Sequence, residues 1–260
     1  MSRFTSKALQ AARGFVLLLC LAASARGQSG QGSGITFQQL SLPQGLSQSI
    51  VKAIVQDQRG FMYFGTEDGL NRYDGYRFTV IRHDPGNVNT LSYNDINALC
   101  TDRRGFIWAG TLNAGLNRYD PAGGGCLRFR HDPADLNSLS HDNILAILED
   151  NDGAIWVGCE SGLNRLTADP GAVNGYRITR FRHDPKSADS LSHDEVHALC
   201  LVRDGGLWVG TEVGLDQLKP ADQRVPRFRH YRHDAEDPGS LSHNAVRSLL
   251  LDRSGDLWIG

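Results

Sequence analysis

One short motif, Gly-x-x-Trp-x-Gly, returns four times at nearly constant spacing, and no other feature constrains the fold as tightly. It stands at Gly105 to Gly110, Gly153 to Gly158, Gly205 to Gly210 and Gly255 to Gly260. Its tryptophans, Trp108, Trp156, Trp208 and Trp258, are 48, 52 and 50 residues apart, and Tyr63 holds the equivalent place 45 residues before Trp108. A chain that repeats at this period stacks one supersecondary unit against the next, so internal repetition outranks any local propensity.

Each copy divides into four short apolar stretches separated by turn residues. The first, Asp95 to Thr101, alternates Ile96, Ala98 and Cys100 with Asn97, Leu99 and Thr101, the period of a strand. An Asp-x-x-Gly turn follows at Asp57 to Gly60, Asp102 to Gly105, Asp150 to Gly153 and Asp252 to Gly255, with Val202 breaking the pattern in the fourth copy. There the carboxylate can accept turn amides and the glycine can take a positive φ. The second stretch holds the tryptophan, the third is Gly115 to Tyr119, and the fourth is Leu127 to Arg130 or Phe181 to His183.

Four strands per unit and no helix-length apolar pattern make this an all-β chain, a β-propeller of four-stranded blades with about 4.5 blades present. The first strand is apolar on both faces in most copies and carries Ala53, Ala98, Ala146, Ala198 or Ser248 at its centre, so it is expected next to the central axis, where crowding requires small side chains. The tryptophan is expected to wedge between neighbouring blades. Propellers close with ~4–8 blades, and seven at this period need roughly 350 residues. The last copy breaks off after its second strand, so the expectation is a truncated sequence or gene fragment of a seven-bladed propeller, with exposed edges that invite self-association.

The N-terminus carries Arg3, Lys7 and Arg13, the apolar run Gly14 to Ala23 and the triplet Ala23-Ser24-Ala25. Residues 1–25 therefore read as a signal peptide, 26–35 as a flexible leader and 36–260 as the repeats, which places the mature chain in the periplasm. The apolar run is too short for a membrane span, which needs ~20 residues, and Leu19 before Cys20 weighs against a lipoprotein. With 22% charged residues and a net charge of −2, the scattered basic side chains give no footprint for nucleic acid. Cys100, Cys126, Cys159 and Cys200 are too sparse for a disulfide scaffold; Cys100 and Cys200 replace Val55, Leu148 and Leu250 of other copies and read as small core residues.

Gly105 to Thr111, Gly115 to Asp120, and Arg130 to Pro133 followed by Ser138-Leu139-Ser140 together resemble two-component regulator propeller repeats, from about Thr36 onward. The stretch Phe37 to Gln48 also resembles the opening segment of such sensors. The resemblance implies the periplasmic sensor region of a hybrid regulator, histidine kinase or diguanylate cyclase. It further implies a homodimeric full-length protein anchored in the inner membrane by a downstream helix that this sequence does not contain.

Several polar motifs invite chemistry and fail on spacing. His83, His131 and His183 of the Arg-His-Asp-Pro motif, and His233 of its Arg-His-Asp-Ala variant, occur one per blade, too far apart to share bonds of ~2 Å to one zinc, and are expected to serve the turn leaving the outer strand. His193 to His197 has its glutamate in the wrong place for a metalloprotease helix and leads into a strand, where four residues span ~13 Å. Asp150 to Gly153 lacks the later ligands of a calcium loop. Neither catalytic residues, nor a metal, nor a cofactor is expected.

A binding site is sought instead where copies differ. One set is Lys52, Asn97, Leu145, His197 and Arg247 at the entrance of the first strands. The other is the loop between strands two and three: Glu67 and Asp68, Leu112 and Asn113, Glu160 and Ser161, Glu212 and Val213. Both sets are expected around the channel mouth. Lys52, Asn97, His197, Arg247, Glu67, Asp68, Asn113, Glu160 and Glu212 would suit a polar small molecule or oligosaccharide. Two other classes stay open: a propeller enzyme of lyase or quinoprotein type, using His197 with Glu212, and a protein-interaction scaffold, which calls for a broad apolar patch.

Overall fold

In the computed structural model, residues 39–220 and 226–260 are described; the signal peptide and leader expected at 1–35 lie outside them. Four antiparallel meanders follow one another: β1 (Val51–Gln56), β2 (Met62–Thr66), β3 (Gly69–Tyr73) and β4 (Phe78–Ile81); β5 (Ile96–Thr101), β6 (Ile107–Thr111), β7 (Leu116–Tyr119) and β8 (Cys126–Phe129); β9 (Ile144–Glu149), β10 (Ile155–Cys159), β11 (Gly162–Ala168) and β12 (Tyr176–Phe181); β13 (Val196–Leu201), β14 (Leu207–Thr211), β15 (Gly214–Leu218) and β16 (Phe228–Tyr231). A pair, β17 (Leu249–Leu251) and β18 (Leu257–Ile259), begins a fifth. Within each blade the strands pair in chain order, and the first strands β1, β5, β9, β13 and β17 touch one another in succession. The fold is thus the expected array of four-stranded propeller blades, open rather than closed, with the first strand innermost.

The fourth strands end earlier than the sequence indicated, by one residue at β8 and by two at β12, which also begins five residues sooner. β8 ends at Phe129 and β12 at Phe181, so Arg-His-Asp-Pro lies wholly in the connection to the next blade and not in a strand. The connection has its own bonding. His83, His131, His183 and His233 each place Nδ1 at 2.6 to 2.7 Å from the carbonyl of Leu91, Leu139, Leu191 or Leu241. Their backbone amides donate to Asn94, Asp142, Asp194 and Asn244. These histidines therefore close loops.

Neighbouring blades are joined by two devices that recur with the motif. The last glycine of Gly-x-x-Trp-x-Gly receives the first apolar residue of the next blade. A Cβ on Gly110 would stand 2.4 Å from Ile144 Cγ2, and on Gly158 or Gly210 2.7 or 2.8 Å from Val196 or Val246 Cγ1. Only hydrogen fits there. Beside this joint Trp108 is fully buried between its own Leu116 and Phe129 and the next blade's Val157 and Tyr176, and Trp156 repeats the arrangement against Val209 and Phe228. The wedge role follows from this packing.

The turn aspartate does more than accept amides. Asp102 Oδ1 accepts from Arg104 and Phe106, while Oδ2 accepts the Trp108 indole N–H at 2.9 Å. Asp150 and Trp156 do the same, as do Asp252 and Trp258. Val202 cannot, and there Asp204 accepts the Gly206 amide instead. A further tie crosses about half a repeat: the Ser92 and Ser140 amides donate to buried Asn117 and Asn164, and Ser47 to Asn71 in the first blade. Leu46-Ser47 thus acts as the Leu-Ser end of a connecting loop, which gives the Phe37 to Gln48 segment its place as far as it is described.

Candidate functional site at the channel mouth

The mouth is built by an irregularity common to the inner strands. Pairing of β1 with β2 slips between Val51 and Ala53, of β5 with β6 between Ile96 and Ala98, and of β13 with β14 between Val196 and Ala198. In the third blade Gly158 pairs with Ala146 but Cys159 with Ile144, so Leu145 is passed over. The residues left unpaired are Lys52, Asn97, Leu145 and His197. In the fifth blade the amides of Arg247 and Ser248 both donate to the Gly260 carbonyl, the same two-against-one arrangement. A β-bulge re-aims a side chain and leaves its neighbours in register, which is why this position varies while the residues on either side of it stay branched apolar before and small after.

The hairpins β2–β3, β10–β11 and β14–β15 bring Glu67, Glu160 and Glu212 beside these bulges. Lys52 Nζ lies 3.4 Å from Glu67, 2.6 Å from Asp95 and 3.3 Å from Asn97 Oδ1. Asn97 donates onward to Asn143 at 3.1 Å, and Asn143 donates to Glu160 at 3.4 Å. His141 Nδ1 accepts the Asn143 amide, so the 3.5 Å approach of Glu160 to that same nitrogen has no proton to share while the ring is neutral. On the fourth blade His197 Nε2 is 3.2 Å from Glu212 and 3.4 Å from Glu195, and Arg247 reaches across from the fifth blade to Glu212 at 2.7 Å. Seven of the nine candidates, Lys52, Asn97, His197, Arg247, Glu67, Glu160 and Glu212, therefore fall into two polar clusters at one end of the blades, with Leu145 between them.

Two do not join. Asp68 turns away from the inner strand and pairs with Arg82 at the end of β4, 2.8 Å away, and this bond holds its carboxyl below the usual range. In a two-residue hairpin Glu67 and Asp68 point to opposite sides, so only one can face the axis. Asn113 is exposed and holds φ at 61°, a left-handed conformation that asparagine tolerates; its loop is one residue longer than the others, and the turn explains the residue. Sequence reasoning missed Asp95, Asn143, His141 and Glu195, which precede the bulge or border it. Asp95, Asn143 and Glu195 share one position that varies between copies as the bulge residue does, whereas His141 carried no such signal, because histidine recurs there at His193 and His243.

Residues 90–113, 138–161, 190–213 and 240–260 match the family described as two component regulator propeller. The first three matched windows run from the Leu-Ser of the connecting loop through the inner strand and its bulge to the hairpin carrying the second variable position. The chain is similar to histidine kinase P4 of Formosa agariphila, 40% identical over 62 residues that make up 24% of this chain and 4% of that protein. It is also similar to a structure described as the extracellular domain of a hybrid two component system of B. thetaiotaomicron. There identity is 30% and the TM-score 0.70, covering 86% of this chain and 29% of that one. Virginiamycin B lyase from Staphylococcus aureus shares the fold at 14% identity and a TM-score of 0.53, over 79% of this chain and 61% of the lyase. Fold and matches together define an open array of propeller blades. Those windows match two-component regulator propeller repeats in the second to fifth blades, and the chain spans only a small part of the two-component proteins it resembles.

Proposed function

We propose that this chain is the extracytoplasmic sensor region of a two-component or diguanylate cyclase signalling protein, and that it binds a polar ligand such as an oligosaccharide at the channel mouth. The observation that carries the reading is the set of bulges: five blades present five different residues, Lys52, Asn97, Leu145, His197 and Arg247, from otherwise matching positions. Loop variation on a rigid scaffold is how recognition is housed on repeat folds. Carboxylates, amides, an ammonium and a guanidinium alternate within hydrogen-bonding reach of one another, and they match a ligand whose hydroxyls each donate and accept. The 30% likeness to a two-component extracellular domain supports the location and the signalling role. Among the described residues no helix is long and apolar enough to cross a membrane.

A glycan array probed with the purified chain tests this. Binding to a defined set of oligosaccharides, lost in a Lys52→Ala/Asn97→Ala variant, is the expected result; no binding, or binding indifferent to that variant, contradicts it. A second reading is favoured by one observation, the imidazole of His197 set between two carboxylates. Such a group can exchange a proton with a bound sugar, and release of unsaturated products from a bound oligosaccharide would identify a lyase instead.

A further inference from the structure

On the fourth blade the mouth combines groups that no other blade combines. β13 enters through Glu195 and His197, and the β14–β15 hairpin supplies Glu212. The equivalent positions hold Ile50, Lys52 and Glu67 in the first blade, Asp95, Asn97 and Leu112 in the second, and Asn143, Leu145 and Glu160 in the third. One ligand atom from each of Glu195, His197 and Glu212 lies within 4.8 Å of the others. Nε2 of His197 stands 3.2 Å from one carboxylate and 3.4 Å from the other. Donors held at bonds of ~2.0–2.2 Å around a tetrahedral ion are separated by about 3.3 Å. The His197 side chain is only 9% exposed, so its ring is held in place, whereas Glu212 is 36% exposed and leaves an entry from solvent.

Arg247 is the present partner of this cluster. Its Nη2 pairs with Glu212 at 2.7 Å, and its Nη1 lies 2.7 Å from Nε2 and 3.2 Å from Nδ1 of His197, against the face of the imidazole and not on a lone pair in its plane. The guanidinium is 57% exposed and able to swing away, and a cation held by Nε2 and the two carboxylates would compete with it for Glu212.

We propose that Glu195, His197 and Glu212 form a binding site for one divalent cation of the Zn²⁺ class, with Arg247 as its competitor. One imidazole and two carboxylates suit zinc, whereas calcium and magnesium favour sites made of oxygen alone. The three donors leave a fourth position open toward the mouth. The site shares His197 and Glu212 with the proposed ligand-binding mouth but does not rest on it, since metal binding is measured without any sugar.

The test is titration of the chelator-treated, purified chain with Zn²⁺ against a chromophoric chelator, followed by Co²⁺, whose visible absorption is strong only in a four-coordinate site. The expected result is one ion per chain, an affinity at least tenfold weaker in Glu212→Gln and abolished in Glu195→Gln/Glu212→Gln, and several-fold tighter in Arg247→Gln. Circular dichroism confirms that each variant is folded; Glu212 sits in an exposed hairpin, where the amide is tolerated. Absence of binding by both the wild type and Arg247→Gln overturns the proposal, as does zinc binding that the Glu195→Gln/Glu212→Gln variant leaves unchanged. Zinc binding retained in the Lys52→Ala/Asn97→Ala variant, which the oligosaccharide reading expects to lose its sugar, separates this site from that reading.

Discussion

The joints between blades and the mouth of the channel are made by the same strands, yet they treat sequence in opposite ways. At the joint, Gly65, Gly110, Gly158 and Gly210 meet Ile96, Ile144, Val196 and Val246, and the large aromatic ring beside them, Tyr63 in the first copy and tryptophan in the others, keeps its place. One or two residues along the same inner strand, at the bulge, lysine, asparagine, leucine, histidine and arginine alternate. The difference is physical. A buried joint has one solution, because interiors are close-packed and a single methylene is felt, whereas a bulged side chain meets solvent and a shared opening, where many residues are tolerated. What repeats is therefore packing, and what departs from the repeat is available for recognition.

The sharpest way to break the comparison is at the joint. Trp156→Ala removes a fully buried ring stacked on Phe181 and its bond to Asp150, and costs about 3–5 kcal/mol. Trp208→Ala, at a half-buried ring without the aspartate bond, costs visibly less; chemical denaturation of the two variants measures the gap. Gly158→Ala forces a methyl against Val196 and lowers stability by about 1–3 kcal/mol in the same assay. Val202→Asp restores the missing carboxylate near Trp208 and raises stability by about 1 kcal/mol; no gain would mean that the aspartate serves something other than the indole and the turn.

Cysteine chemistry sharpens the contrast through pH. Burial pushes the Cys159 thiol up to about 12 and those of Cys100 and Cys126 up to about 11, from an ordinary 9.0. The folded chain holds these protons more tightly than the unfolded chain does, so their contribution is fully present below pH 9 and is lost as pH rises toward 11 to 12. Unfolding midpoints should fall over that window, and the fall should be shallower in Cys159→Thr, which restores the residue found at Thr66, Thr111 and Thr211. At neutral pH the thiols should resist a disulfide reagent until denaturant is added.

How much could be read in advance follows the same division. The blade count, the strand order and the tryptophan wedge were legible because the constraint producing each is written into several copies. The limits of the fourth strands were not, since Arg-His-Asp-Pro repeats as strongly as any strand although its role is to bond a loop. Nor were the Asp102 to Trp108 bond or the Ser92 to Asn117 tie, whose partners stand six and twenty-five residues apart with nothing local to link them. At the mouth, the variable positions pointed to Lys52, Asn97, His197 and Arg247. The bulges that aim them, and the meeting of Glu195 with Glu212, needed the register.

The most direct measurement sets two multi-site variants side by side. One carries Lys52→Ala, Asn97→Ala and Arg247→Ala at the mouth, the other Gly110→Ala and Gly158→Ala at the joints, and each is followed by denaturant unfolding and by oligosaccharide binding. If packing and recognition are divided as described, the mouth variant unfolds within about 1 kcal/mol of the wild type and loses the ligand, while the joint variant loses several times more stability. A mouth variant that unfolds as readily as the joint variant, or that keeps its ligand, would show that the varying ring is part of the fold and not its binding site.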